Sequence, residues 1–151
     1  SDVNGQLAKD VAEYNNFMTL FYLRIDCEQK TMEWVRAGHD PAIFYNPKTR
    51  SFEALDGRGI PLGVEESWVY AENKKTGLSE GQIIVLATDG VWEAENIDGE
   101  MFGKDRIYDL IQANAALSAK GILNILINML YRFAKGRKFG DDVTLVVIKI
   151  K

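Results

Sequence analysis

The chain has 151 residues, of which 46% are apolar and 26% charged, as expected of a globular protein of ordinary domain size. Its net charge of −4 lacks the excess of basic residues that is typical of proteins that bind nucleic acid or an anionic membrane surface. The single cysteine, Cys27, excludes an internal disulfide framework, and no apolar stretch approaches the roughly 20 residues that cross a bilayer. We therefore expect a cytoplasmic segment without membrane contact.

The first part of the chain predicts a short helix followed by two β-hairpins. Apolar residues four positions apart indicate an amphipathic helix over residues 3–11. Aromatic and β-branched residues fill residues 17–25, and residues 31–37 alternate like a half-buried strand, which indicates an antiparallel hairpin. A second hairpin is predicted at residues 42–45 and 51–55, on either side of an Asn-Pro turn dipeptide.

Glycine and proline interrupt regular structure in the middle of the chain. Residues 57–63 are not a phosphate-binding loop, because they lack its Gly-Lys-Ser/Thr ending. Their glycine and proline content favours a flap or turn instead. We expect a further short strand at residues 68–71. Residues 83–87 read Ile-Ile-Val-Leu-Ala between polar boundaries, which is typical of a fully buried strand.

The last third of the chain changes to helical periodicity. Apolar residues fit one helix face at residues 107–111 and another at residues 122–133, with Gly136 as a helix stop. Residues 143–150 are rich in β-branched residues and predict a final strand. This order indicates an α+β fold with helices packed on mostly antiparallel sheet. The predicted core comprises Phe17, Leu20, Ile84, Val85, Leu86, Leu126, Phe133, Val146 and Ile148.

Two acidic segments lie at the ends of predicted strands. Asp89 follows the buried strand and Thr88, and Gly90 lets the chain turn sharply or a ligand approach closely. Asp141 and Asp142 precede the last strand, and a bound cation would relieve the repulsion between their carboxylates. Carboxylate oxygens suit magnesium, manganese or calcium better than zinc. Each segment alone is also typical of an ordinary turn, so a metal site and a structural role are alternatives.

Other polar residues have similar alternatives. His39, the single histidine, can shape a turn by hydrogen bonds or line a site, but it cannot make a His-rich zinc site. Arg58 can touch an anionic substrate or stay solvated. Lys135, Arg137 and Lys138 form a short basic run that is typical of a solvated helix end and loop.

A series of short motifs occurs in order along nearly the whole chain. They include an Ala-Gly-His-x-Pro turn, a Pro-Leu-Gly segment, a Thr-Asp-Gly-Val-x-Glu-Ala element and a Gly-Asp-Asp-Val-Thr element. Together they resemble the sporulation-protein-E and sigma-factor-regulation branch of the bacterial type-2C phosphatases. Each motif is weak alone, whereas the ordered set is specific. The matching segments are residues 17–21, 37–42, 60–63, 88–96, 102–103 and 140–144.

The resemblance implies an α-β-β-α sandwich, in which helices flank two antiparallel sheets. It implies hydrolysis of phosphoserine or phosphothreonine by a water that two manganese or magnesium ions activate. Carried over by position, the candidate metal site comprises Asp89, Gly90, Asp141 and Asp142, with Asp89 and Asp141 as ligands and the role of Asp142 open. The usual substrate in this branch is a phosphorylated regulatory protein of the anti-anti-sigma type.

The chain departs from the family pattern at its N-terminal end. The family opens with an Asp-Val-Ser-Gly-His-Gly element, which a chain whose single histidine is His39 does not contain. We therefore expect residues 1–151 to be a single domain, the C-terminal part of a type-2C-like catalytic domain. We expect this chain alone to be nearly inactive, and an uncovered sheet edge to favour a homodimer.

Two other functions are alternatives. A non-catalytic protein-interaction domain with a phosphatase fold would explain the missing element, although it would not need both Asp89 and Asp141. Another two-metal hydrolase, such as a nuclease, is disfavoured by the acidic net charge and the lack of a basic stripe.

Overall fold

The computed structural model describes residues 2–11 and 16–151 of the chain. Within these residues, no helix has the length and apolar character needed to span a membrane. The strands and helices are α1 (Asp2–Val11), β1 (Leu20–Asp26), β2 (Thr31–Ala37), β3 (Ala42–Asn46), β4 (Ser51–Leu55), β5 (Asn73–Thr76), β6 (Ile83–Ala87), a 3₁₀ turn (Asp89–Val91), α2 (Lys104–Ala113), α3 (Ala119–Ala134) and β7 (Leu145–Lys149).

The strands form two antiparallel sheets, each within its own compact unit. One sheet has the order β1-β2-β5, and the other has the order β4-β3-β6-β7. The first unit comprises residues up to Pro41 together with Leu55–Leu78, and the second comprises Ala42–Ala54 and Ser79–Lys151. The expected single domain over residues 1–151 stays a prediction.

In the first unit, β1 and β2 pair along their whole length, which confirms the first predicted hairpin. Lys30 adopts a left-handed conformation, with a φ of 53°, in the turn between these strands. The prediction of a strand at residues 68–71 is wrong, because the third strand of this sheet is β5, a few residues later. The predicted N-terminal helix is confirmed as α1.

Asn4 attaches α1 to the loop that follows residue 60. Asn4 is 1% exposed. The amide nitrogen donates to the carbonyl oxygens of Glu65 at 2.9 Å and Glu66 at 3.1 Å, and the amide oxygen accepts from the Gly63 N–H at 3.0 Å. Val3, which the helical pattern placed on the apolar face, is 64% exposed. A hydrogen-bonded polar side chain therefore occupies a buried position of this helix, since its donors and acceptor are satisfied there.

In the second unit, α2 and α3 share one hydrophobic core with the four-stranded sheet. Ser118 caps α3 by accepting from the Gly121 N–H at 3.1 Å, and the helix ends before Lys135, which is left-handed. Alternate residues of β6 belong to this core because successive side chains of a strand point to opposite faces. The buried cluster consists of Ile43, Tyr45, Ile83, Val85, Ala87, Val91, Ala94, Phe102, Ile107, Ile111, Ile122, Leu126 and Leu130.

The core prediction is confirmed in part. The prediction of burial is wrong for Phe17, Leu20 and Val146, which have exposed fractions of 64%, 38% and 46%. Phe17 precedes β1, whereas Leu20 and Val146 lie in β1 and β7, the outer strands of their sheets, each of which lacks a neighbouring strand on one side among the described residues. Apolar composition identified these segments as strands but did not show that they lie at sheet margins. Of the other predicted core residues, Ile84, Val85 and Leu126 are buried, and Leu86, Phe133 and Ile148 are half-buried.

Candidate metal centre

The candidate acidic residues lie at one edge of the four-stranded sheet. β6 and β7 are antiparallel neighbours with Ala87 opposite Leu145, so β6 ends where β7 begins. Asp89 follows β6 in the chain, whereas Asp141 and Asp142 precede β7. The pairing therefore brings together two acidic segments that are far apart in sequence.

Thr88 connects these segments by hydrogen bonds. Its N–H donates to the Thr144 carbonyl at 3.1 Å. Its hydroxyl donates to the Asp142 carbonyl at 3.0 Å and accepts from the Thr144 N–H at 3.0 Å. The hydroxyl thus satisfies one acceptor and one donor of the segment before β7 and fixes its path. Sequence reasoning did not include Thr88 among the metal-site residues, although two signals were available: its position directly before Asp89 and its place at the start of the Thr-Asp-Gly-Val-x-Glu-Ala element.

Gly90 permits a close approach between the same segments. A Cβ atom built on this buried glycine would lie 2.6 Å from the carbonyl oxygen of Asp142. That distance is far shorter than a side chain tolerates, so the local packing requires glycine. The close approach predicted at Gly90 is made by the chain's own backbone.

The aspartate side chains themselves are accessible from solvent. Asp89 and Asp141 are both exposed. The Oδ1 atom of Asp89 accepts from the Gly90 N–H at 3.0 Å, and that of Asp141 accepts from the Asp142 N–H at 2.7 Å. The neighbouring backbone therefore orients both carboxylates, and both are of the ligand type that hard divalent cations prefer.

A cavity of 460 Å³ opens beside this sheet edge, and both Gly90 and Asp141 line it. Asp142 lines a separate cavity of 620 Å³ next to α3, to which Asp141 also contributes. Asp89 is not among the described residues that line either cavity. The expectation that the carboxylates of Asp89 and Asp141 face one cleft therefore stays a prediction.

The carboxylates of Asp89 and Asp141 are the type of ligand that a divalent-metal site needs, but they are too few. Residues 2–11 and 16–151 contain no group of three or more His, Cys, Asp or Glu side chains placed to hold a metal ion. Two divalent ions need about six oxygen ligands each, part of them water. Asp89 and Asp141 alone do not provide this number. The assignment of Asp89, Gly90, Asp141 and Asp142 to a metal site stays a prediction.

His39 and Arg58 lie in the first compact unit and have structural partners there. His39 Nδ1 shares a hydrogen bond with the Asp40 carbonyl at 2.8 Å, and the His39 carbonyl accepts from Arg36 Nη1 at 2.8 Å. The Arg58 guanidinium lies over the Trp68 ring, 5.9 Å from its centroid. These contacts favour the structural alternative for both residues.

Solved structures of phosphatase domains share this fold. The chain matches the SiaA-PP2C domain of Pseudomonas aeruginosa with a TM-score of 0.84 and 15% identity, over 98% of this chain and 58% of that chain. It matches the Mn-presoaked phosphatase domain of the cell fate determinant SpoIIE from Bacillus subtilis with a TM-score of 0.60 and 15% identity, over 100% and 74% of the two chains. The predicted α+β class is confirmed, and the fold is that of the type-2C phosphatases.

The family follows from the sequence match. A family model described as Stage II sporulation protein E (SpoIIE) matches residues 1–151, so the chain belongs to the SpoIIE family. The phosphoserine phosphatase RsbU of Bacillus subtilis (strain 168) is 28% identical over 135 residues, which cover 89% of this chain and 39% of RsbU. The chain thus spans about two-fifths of the length of this relative.

Proposed function

We propose that the chain is part of a metal-dependent protein serine/threonine phosphatase. The observation that carries this proposal is the β6–β7 pairing, which brings the Thr-Asp-Gly segment at residues 88–90 and the Gly-Asp-Asp segment at residues 140–142 to one sheet edge. Membership of the SpoIIE family and similarity to a phosphoserine phosphatase support the same reaction. That reaction is hydrolysis of a phosphoserine or phosphothreonine monoester on a protein.

Asp89 and Asp141 would hold manganese or magnesium, with two ions in a complete site. Such ions, when bound, lower the pKa of a water molecule and neutralise charge on the phosphoryl oxygens. The chain's own contribution is to place both carboxylates on strand ends that Thr88 ties together. Gly90 and Asp142 would contribute a close backbone contact to the site, and the Asp142 carboxylate is the remaining acid beside it.

The proposed substrate is a phosphorylated cytoplasmic regulatory protein of the anti-anti-sigma type. The family resemblance supports this partner. The net charge of −4 supports a protein over a nucleic acid, because nucleic-acid binding depends on neutralising phosphates with basic residues.

We expect the 151-residue chain to hydrolyse a phosphoserine peptide only marginally, because Asp89 and Asp141 supply too few metal ligands. A longer protein in which this chain is joined to further metal ligands, called the parent protein below, should release phosphate in a manganese-dependent manner. Phosphate release is measured for both proteins with manganese and after chelation.

The outcomes of this experiment separate the candidate functions. An absence of metal-dependent phosphate release by the parent protein would contradict the proposed phosphatase and favour a non-catalytic interaction domain. Turnover by the 151-residue chain at the rate of the parent protein would show that its own ligands suffice. The same assay with an unphosphorylated peptide gives the background.

We also propose that the chain self-associates through the outer edge of β1. Among the described residues, no strand pairs with the outer side of β1, and its residues Leu20 and Tyr22 are 38% and 54% exposed. Unpaired edges join other strands readily, and a symmetric dimer is the commonest closed assembly.

Light scattering should report a dimer, and Tyr22→Lys should yield monomers. Val69→Lys, at a position that is 81% exposed outside the sheets, is the matched control, and a wild-type monomer at every concentration contradicts the proposal.

A further inference from the structure

The short basic run after α3 lies beside the candidate metal centre. α3 ends at Ala134, and the Arg137 N–H donates back to the Ala134 carbonyl at 2.9 Å. Gly136 has a φ of 85°, a left-handed conformation that glycine adopts without strain. This tight turn directs the chain toward β7, so that Arg137 and Lys138 line the same 460 Å³ cavity as Asp141.

Arg137 is already engaged within the protein. Its Nη1 atom donates to the Asn96 carbonyl at 3.0 Å, and its Nη2 atom pairs with Glu95 Oε2 at 2.5 Å. The anchor is well defined, because Asn96 is 7% exposed and its side chain donates to Glu100 at 3.0 Å. The charge of Arg137 is therefore offset by Glu95, and its contacts hold the loop against the segment that follows the 3₁₀ turn.

Lys138 differs from Arg137 in having no internal partner. It is exposed and lines the cavity, and it makes no hydrogen bond or ion pair with any residue in the described ranges. Arg137 and Lys138 are the only basic residues among the described residues that line this cavity. With Arg137 committed to Glu95, Lys138 is the cation that can engage a ligand.

We propose that Lys138 binds the phosphate of the phosphorylated substrate residue, so that the cavity beside Asp141 is the phosphate subsite. This inference rests on the proposed phosphatase function. The lining also includes the carboxylates of Glu93 and Asp141, so an anionic ligand needs a positive partner to enter. A lysine ammonium is a compact charge with three donors that suits phosphate oxygens. A phosphate carries about −1.5 to −2 charges at neutral pH, so it gains more from Lys138 than a carboxylate does.

The test measures binding of peptides to the 151-residue chain by NMR titration. Three versions of one peptide are compared, with phosphoserine, serine or glutamate at the same position. The phosphoserine peptide should bind with the highest affinity and shift the amide signals of Gly140 and Asp141. Lys138→Gln should weaken its binding by about fivefold to tenfold, as expected for the loss of one charge-assisted contact.

Two further variants provide the controls. Lys138→Arg keeps the positive charge and should retain most of the affinity. Lys120→Gln removes the same charge from an exposed position on α3 outside the cavity and should leave binding unchanged. Equal affinity of Lys138→Gln and wild type, equal binding of the glutamate and phosphoserine peptides, or no binding to wild type would each overturn the inference. The readout is peptide binding to the 151-residue chain, whereas the proposed function is tested by hydrolysis in the parent protein. A failure of this inference can therefore be distinguished from a failure of the proposed function.

Discussion

Asp89→Asn in the parent protein is expected to lower hydrolysis of a phosphoserine peptide by about 100-fold or more, since a bound metal contributes several kcal/mol of charge stabilisation. The neutral amide is a weaker ligand for a hard cation than the carboxylate is. The fold should be unaffected, because Asp89 is exposed and its contact with the Gly90 N–H can be made by an amide oxygen. Phosphate release with manganese measures the loss, and thermal unfolding checks the fold.

Asp109→Asn is the matched control for this variant. Asp109 is an exposed residue of α2, so the substitution makes the same change of charge outside the candidate centre. Manganese titration by calorimetry gives a second readout, in which Asp89→Asn should lower the affinity and Asp109→Asn should not. Wild-type turnover by Asp89→Asn would remove this residue from the proposed mechanism.

Local sequence patterns predicted the elements that carry the candidate centre. The apolar run at residues 83–87 coincides with β6, and the β-branched run at residues 143–150 contains β7. Both segments combine strong β-forming residues with clear polar boundaries, so neighbouring residues alone define them. The placement of Asp89 after β6 and Asp141 before β7 followed from these boundaries.

The contacts across the sheet edge could not be predicted from local patterns. The Thr88 hydroxyl donates to the Asp142 carbonyl, and Gly90 packs against the same backbone, only because β6 and β7 are neighbours. Strand order is a non-local property that one sequence does not encode in its periodicity. Arg137 and Lys138 illustrate the same limit, because their spacing indicated a solvated helix end and the fold places both beside Asp141.

Gly90→Ala should lower the free energy of unfolding of the chain by about 1–3 kcal/mol, the usual cost of inserting a methyl group into a filled site. The added Cβ would lie 2.6 Å from the Asp142 carbonyl oxygen, and this neighbour is backbone that cannot rotate away. The segment before β7 must therefore shift, which strains the Thr88 hydrogen bonds to Asp142 and Thr144. Urea unfolding measures the loss of stability.

Gly140→Ala is the matched control, and it separates this steric effect from any general cost of replacing glycine near the site. A Cβ atom at Gly140 meets nothing within 4 Å, although this residue directly precedes Asp141. Its substitution should change the free energy of unfolding by about 0.5 kcal/mol or less, as at other exposed positions. In the parent protein, Gly90→Ala should also reduce manganese-dependent hydrolysis, because displacing the segment moves Asp141 away from the end of β6. If both alanine variants unfold at the wild-type urea concentration, the contact between Gly90 and Asp142 does not hold the two acidic segments together.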